Sequence, residues 1–399
     1  MWKHAGSGDI VAFNFNHIIQ IMTRLSIAVF CFLILIGCSK DDKTVLPVEN
    51  TQADIPQMDN AVTSFMTTYS VPGVSVAVTK DGKLVYAKSY GKSDKTSGKD
   101  LTNSNLFRTA SVSKTITALA VLKLAETGKL SLDQKVFGSQ ALLGNTYTVP
   151  AGQVGNITAR QLLQHTSGGW GNTLNDPMFT NAGMSQEQLI NWTLANRALT
   201  SVPGTKYDYS NFGYCVLGRV IEKVTGQTYE QWVANNILQP SGITRMRISG
   251  NTLAEKKEDE TTYYGQNGEN PYIYNISRMD AHGGWLASAT DLARLLVRMD
   301  GSSTKPDLLN ADYMKILTTG SAANVNYACG LAVNSYDNWW HTGSLPGTAT
   351  EIVRTANGFC WVILCNTRST SSRFIDDMDA VIWKAVNDKS TVWSNVDQF

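Results

Sequence analysis

The chain has 399 residues and a mass of 43.6 kDa, enough for one large domain or two modest ones. Hydrophobic residues make up 43% and charged residues 17%, the balance of a globular protein with a sizeable core rather than a disordered or fibrous chain. Lys and Arg number 34 against 33 Asp and Glu, a formal net charge of +1 without a basic block, so no nucleic-acid partner is expected.

In chain order, the N-terminus reads as an address. Arg24 precedes an apolar run from Leu25 to Ile36, too short for a comfortable membrane span, and Leu35-Ile36-Gly37-Cys38 closes it. That ending resembles the lipobox of bacterial lipoproteins. The resemblance implies a signal peptide over 1–37 and a lipid on Cys38, with a plain signal or an anchor helix as alternatives. Met22 fits a true start better than Met1, because the residues before it do not resemble a signal's leading segment. Residues 38–56 then read as a polar tether and 57–390 as the folded domain. The expected location is the periplasmic face or the cell surface of an outer membrane.

Export puts Cys215, Cys329, Cys360 and Cys365 in an oxidising compartment. Cys360 and Cys365 lie five apart on one apolar run, roughly 16 Å at about 3.3 Å per residue, and on opposite faces. They cannot bridge each other. Buried free thiols are expected.

Val74–Thr79 and Leu84–Tyr90, joined by Lys80-Asp81-Gly82-Lys83, read as a hairpin. Helices are expected from about Ser111 to Thr127, Thr158 to Gln164, Phe212 to Val224, Tyr229 to Leu238 and Thr290 to Met299. Strands follow near Trp339–Thr342, Thr348–Arg354 and Cys360–Asn366, then a last helix from about Ser372 to Val386. Strands at both ends with helices between them predict an α+β fold. Its antiparallel sheet is built from both chain ends, flanked by helices, with a mostly helical insertion.

Ser-x-x-Lys occurs three times, at Ser89, Ser111 and Ser302. Only Ser111 opens a predicted helix, which sets Lys114 one turn behind the hydroxyl. Helix N-terminal N–H groups favour developing negative charge there. A serine needs an adjacent base to act as nucleophile, and a desolvated Lys114 can serve. Tyr209-Ser210-Asn211 directly precedes another helix. A phenol near a lysine cation is expected to move toward phenolate, and Asn211 offers donor and acceptor to a substrate amide. Taken alone, Ser111 and Asn211 also read as helix caps. His341-Thr342-Gly343 ends a strand, where glycine permits close backbone approach. The histidines after residue 38 are His165, His282 and His341, without metal-ligand spacing, so no metal or other cofactor is expected. No Gly-x-Ser-x-Gly elbow, phosphate loop or dinucleotide fingerprint is present.

Together these motifs resemble the serine β-lactamase and penicillin-recognising family, in its branch of class C β-lactamases, DD-carboxypeptidases and esterases. Leu162–Gly168, Tyr209–Tyr214, Gly283–Ser288 and His341–Gly347 extend the likeness over about 57–387. The resemblance implies Ser111 as nucleophile, Lys114 as adjacent base or proton shuttle, and Tyr209 as the group that exchanges protons with the leaving group and later activates the hydrolytic water. It implies Asn211 on the substrate amide, with His341, Thr342, Gly343 and Ser344 lining the site. The Ser111 and Ser344 N–H groups would form the oxyanion hole. The third motif reads His-Thr-Gly where class C β-lactamases carry Lys-Thr-Gly. A neutral histidine grips a carboxylate more weakly than lysine does. The expected substrate is a D-amino-acid peptide or a related amide or ester. A carboxylesterase, a true β-lactamase and a non-hydrolysing penicillin or muropeptide receptor are the alternatives.

Overall fold

A strand hairpin with a two-residue turn begins the sheet on which the rest is assembled. In the computed structural model, which describes residues 54–399, β1 (Gly73–Lys80) turns through Asp81 and Gly82 into β2 (Lys83–Asp94). Both turn residues take positive φ, 50° and 76°, the backbone twist that a tight hairpin needs. The expected signal segment, Cys38 and most of the tether lie outside the described residues.

The chain's end completes the sheet. β8 (Trp339–Leu345), β9 (Thr348–Arg354) and β10 (Phe359–Cys365) form a meander, and β10 pairs antiparallel with β1 in the register Val74↔Cys365 to Lys80↔Phe359. Short strands β3 (Lys99–Asp100) and β7 (Ala332–Val333) cap the two edges, giving the order β3-β2-β1-β10-β9-β8-β7. A second sheet of β4 (Phe107–Arg108), β5 (Arg247–Ile248) and β6 (Trp285–Ala287) has the order β4-β6-β5. These pairs were not evident from the sequence. This is the predicted antiparallel sheet closed by both ends.

Alternation along the strands makes two cores. Val74, Val76 and Val78 join the layer under helix α1 (Pro56–Tyr69) and the last helix, Phe374–Asn387. Ala77 joins the larger opposite layer, whose centre is helix α2 (Ser113–Glu126). Cys360 and Cys365 fall in opposite layers, and all four cysteines after residue 53 are buried and free, as expected. Helix α2 is buried on nearly every side, so the segment that begins at its N-terminus is fixed by the core itself.

Other predicted helices hold with small shifts: Ala159–Leu163, Asn211–Thr225 and Ala289–Leu296. Thr158 with Gln161 and Ser288 with Asp291 make reciprocal capping boxes. The helix predicted at Tyr229–Leu238 is α-helical to Val233 and continues as a π turn over Ala234–Leu238. Helices α1, Gln186–Asn196 and Ala311–Thr318 were not anticipated.

Strand β8 runs hard against the segment preceding α2. A Cβ built on Gly343 would lie 2.3 Å from the Thr109 carbonyl and 2.3 Å from Thr350 Oγ1. Gly343→Ala is expected to lower stability by about 1–3 kcal/mol, the usual cost of forced overpacking. A urea midpoint unchanged from wild type would show that this approach is looser than described.

Candidate active site

Ser111 does not sit in the α-helix. It occupies a 3₁₀ turn, Ala110–Val112, that feeds directly into α2. Ala110 holds φ at 45°, a left-handed conformation that costs a non-glycine residue on the order of 1 kcal/mol or more. The turn keeps this shape because its neighbours are bonded from several sides. Thr109 N–H donates to the Trp285 carbonyl (2.8 Å), Thr350 Oγ1 donates to the Thr109 carbonyl (2.8 Å), and the Thr109 and Ser113 hydroxyls meet at 2.9 Å. Two sheets and a helix start therefore aim the Ser111 side chain.

Lys114 lies one turn on, as the i, i+3 spacing predicts. Its Nζ contacts Ser111 Oγ at 3.1 Å, Asn211 Oδ1 at 2.6 Å and the His282 carbonyl at 2.9 Å. The side chain has no exposed surface. Burial drags its pKa from the ordinary 10.5 down to about 7, against the pull of the nearby Asp176 carboxylate. The amine is thus poised between charged and neutral forms at neutral pH.

Tyr209 faces the same hydroxyl. Burial pushes the phenol's pKa up, and its hydrogen bond with Ser111 recovers part of that shift. The Lys114 amine sits 4.9 Å from the centre of the Tyr209 ring. The expected drift toward phenolate is therefore corrected: desolvation dominates, and the phenol keeps its proton at pH 7.

Asn211 begins the helix Asn211–Thr225 but does not cap it. Ser210 does, accepting the Gly213 N–H at 3.0 Å, which leaves the Asn211 amide for the site. Its Oδ1 accepts from Lys114 and its Nδ2 donates to Asp176 Oδ2 at 2.7 Å. Asp176 also caps the short helix Pro177–Thr180 through the Met178 N–H at 2.9 Å. Burial raises its pKa, with Asn211 and the Met178 N–H opposing the rise.

On β8, His341 is buried, Thr342 half-buried and Ser344 exposed. Close passage of Gly343 over Thr109 sets the Ser344 end of the strand beside the Ser111 turn. His341 Nε2 meets Tyr327 Oη at 3.1 Å, and Tyr327 Oη meets His165 Nε2 at 3.1 Å. Rings of Tyr209 and His341 are 6.3 Å apart. All eight residues singled out between Ser111 and Ser344 thus come from three distant segments to one place. Among the described residues, no group of three or more His, Cys, Asp or Glu side chains could hold a metal ion.

Asp176 and Tyr327 were missed by sequence reasoning, and His165 was noted within its motif and weighed only as a metal ligand. Asn175-Asp176-Pro177 does signal a helix start, but nothing in it says that the second carboxylate oxygen reaches Asn211. Tyr327 carries no motif at all. Its position follows from Gly330, three residues later, whose carbonyl accepts from Thr115 of α2 at 2.7 Å.

Residues 58–382 match the model of the Beta-lactamase family. This chain belongs to that family, a family of serine hydrolases. Among relatives, Protein flp of Staphylococcus aureus strain MRSA252 is 26% identical over 353 residues, covering 86% of this chain and 69% of that one. A protein of Escherichia coli O157:H7 named "Putative D-alanyl-D-alanine carboxypeptidase" is 27% identical over 345 residues, covering 74% of this chain and 78% of that one. Among solved structures, the D-amino acid amidase of Ochrobactrum anthropi SV3 superposes with a TM-score of 0.68 at 20% identity, covering 83% of this chain and 98% of that one. At that identity the likeness speaks for the fold.

Lys114 also leaves a mark on stability. With a pKa near 7 when folded and 10.5 when free, the lysine takes up a proton on unfolding between those values. Its contribution therefore strengthens as pH rises from about 7 toward 10, and Lys114→Met removes it. The urea midpoint of wild type minus that of Lys114→Met is expected to climb between pH 7 and pH 9. A flat difference would mean that the amine is not desolvated.

Proposed function

We propose that this hydrolase acts through an acyl-enzyme on Ser111 and takes a D-amino-acid peptide or a related amide or ester. Neutral Lys114 accepts the Ser111 proton while Oγ bonds to the acyl carbon. The developing oxyanion faces the backbone N–H groups of Ser111 and Ser344. Collapse breaks the bond to the leaving nitrogen or oxygen, which takes its proton from the Tyr209 phenol. Lys114 then returns its proton to Tyr209, and a water molecule, with the same pair as base, hydrolyses the ester. No step calls for a cofactor.

One observation carries this reading. Ser111 Oγ lies 3.1 Å from an amine whose pKa has been brought to about 7, the range in which a general base works best near neutrality. A buried, protonated Tyr209 supports the leaving-group step, because an acid must hold a proton to give one. Similarity to the E. coli protein named above supports a D-alanyl peptide as substrate class. A neutral His341, whose pKa burial drags to about 3, supports the carboxylesterase alternative over a true β-lactamase.

Wild type and Ser111→Ala should be compared with a D-Ala-D-Ala peptide, a p-nitrophenyl ester and a chromogenic cephalosporin. Turnover by wild type alone is expected. Equal activity in both proteins removes Ser111 from the mechanism, and a burst without recovery supports the receptor. Activity should fall as pH drops through about 7, because Lys114 must be uncharged. Asp176→Asn should move that limb to lower pH, since the carboxylate holds the Lys114 pKa up.

We also propose that the protein is exported and held at a membrane by a lipid on Cys38. Support comes from the apolar run and its Leu-Ile-Gly-Cys ending. Among the described residues no helix is long and apolar enough to cross a membrane. Metabolic labelling with a palmitate analogue should mark the wild type and not Cys38→Ala; equal labelling of both excludes this anchor.

A further inference from the structure

One buried guanidinium joins the two stretches of chain that receive the Lys114 amine. Arg278 lies in the 3₁₀ turn Ser277–Met279 and is buried. Its donors go to main-chain carbonyls of a single loop: Nη2 to Met178, and Nη1 to Asn181 and, at 2.8 Å, to Met184. Nε has no partner among the described residues. The carboxylate of Asp280, two residues on, is engaged by Arg219 at 2.6 Å. The turn that carries Arg278 is itself fixed. Asn275 Oδ1 accepts its N–H at 3.0 Å, and Gln186 Nε2 donates to its carbonyl at 3.1 Å.

The three carbonyls close the helix Pro177–Thr180, which at four residues is too short to hold itself together. Asp176 caps its other end and accepts from Asn211 Nδ2 at 2.7 Å. On its own side Arg278 leads straight into the helix Asp280–Gly283, whose His282 carbonyl accepts from Lys114 at 2.9 Å. Both routes therefore end on one amine, the first through Asn211 Oδ1 and the second through the His282 carbonyl. A ring contact presses the same two stretches together. Phe179 and Tyr274 meet at 4.9 Å and pack with Ala110, Ile276, Met279 and Leu345 beside the Ser111 turn.

We propose that Arg278 is the positioning residue of the Lys114 amine: it clamps the Asp176 loop to the His282 segment and so holds that carboxylate, through Asn211, at a fixed remove from Lys114. The catalytic consequence rests on the acyl-enzyme reading above, whereas the clamp does not. Arg278 acts through these contacts and not on the reacting atoms. A released loop would let Asp176 swing away from Asn211, and Arg278 also helps to keep that carboxylate ionised against burial. Both losses weaken the negative potential at Lys114. The other groups around the amine bring no charge to compensate. Burial holds His165, His282 and His341 neutral, and Tyr209 and Tyr214 keep their protons. Cys215, which feels both Asp176 and Arg278, stays a thiol, its pKa pushed up to about 12.

Carbon-13 NMR of protein labelled at lysine Cε follows the Lys114 titration without any need for turnover, with Lys114→Met for assignment. Wild type should titrate near 7, and Arg278→Met lower by about 0.5 or more. Asp176→Asn should lower it likewise. Adding Arg278→Met to that variant should move it little further, because the arginine acts through the carboxylate. The acid limb of kcat/KM should move in the same order. Arg278→Lys keeps the charge but offers one nitrogen to three carbonyls. It should show a smaller fall of the same sign, and it decides the matter if the methionine variant does not fold. No fall in the folded variant, a rise, or a fall that adds in full to that of Asp176→Asn overturns the proposal. If wild type turns over neither a D-Ala-D-Ala peptide nor an ester, the hydrolase reading fails, while the NMR still decides the clamp.

Discussion

The placement of one amine in a dry interior governs the chemistry of this site. Lys114 is cut off from water, and its nitrogen is met by a hydroxyl, an amide oxygen and a main-chain carbonyl. None of these carries a charge. A carboxylate in direct contact would fix the lysine as an ammonium and rule out the proposed role as a base. Here the carboxylate of Asp176 stands one residue back, with Asn211 as the spacer that bonds to both. The arrangement supplies enough negative potential to keep the pKa near 7 instead of lower, without locking the proton in place.

Such an arrangement demands a rigid frame, because an amine shifted by an ångström would find water or lose its acceptors. Helix α2 supplies it from the core, buried almost all round. The turn that carries Ser111 is held in a left-handed conformation at Ala110 by bonds to β6 and β9, so the strain is sustained by two sheets rather than by local preference. Strand β8 closes the other side only because residue 343 lacks a side chain.

How much of this was readable without coordinates divides along physical lines. The sheet hairpin, the C-terminal meander and helix α2 announce themselves through period-two or buried runs ended by turn residues, and their bounds moved by only a few positions. Helix α1 was lost because Pro56 and the polar residues around it read as tether, although proline is well suited to a first helical turn. The two-residue strands of the second sheet carry no periodicity to read. Ser111, Lys114, Tyr209 and His341 were legible as motifs since their chemistry depends on residue type and near-neighbour spacing. Asp176 and Tyr327 were not, because each acts through a contact across more than a dozen residues that no local pattern encodes. The charge state of Tyr209 was misread for a related reason. A neighbouring cation can be inferred from a motif, whereas the depth of burial that overrules it cannot.

Charge around the third motif completes the picture. A lysine at position 341 would put a second cation beside Lys114 and lower its pKa further, leaving the amine uncharged at pH 7 but a weaker base. A histidine drawn into a line of neutral donors and acceptors avoids that loss of basicity. The cost is a weaker hold on any anionic group of the substrate. In the proposed mechanism catalysis and recognition share one electrostatic field: the fewer cations near Ser111, the nearer to 7 the Lys114 pKa stays, and the weaker the hold on a carboxylate. On this argument the residue at 341 bears on the basicity of Lys114 as well as on the charge that a bound group would meet.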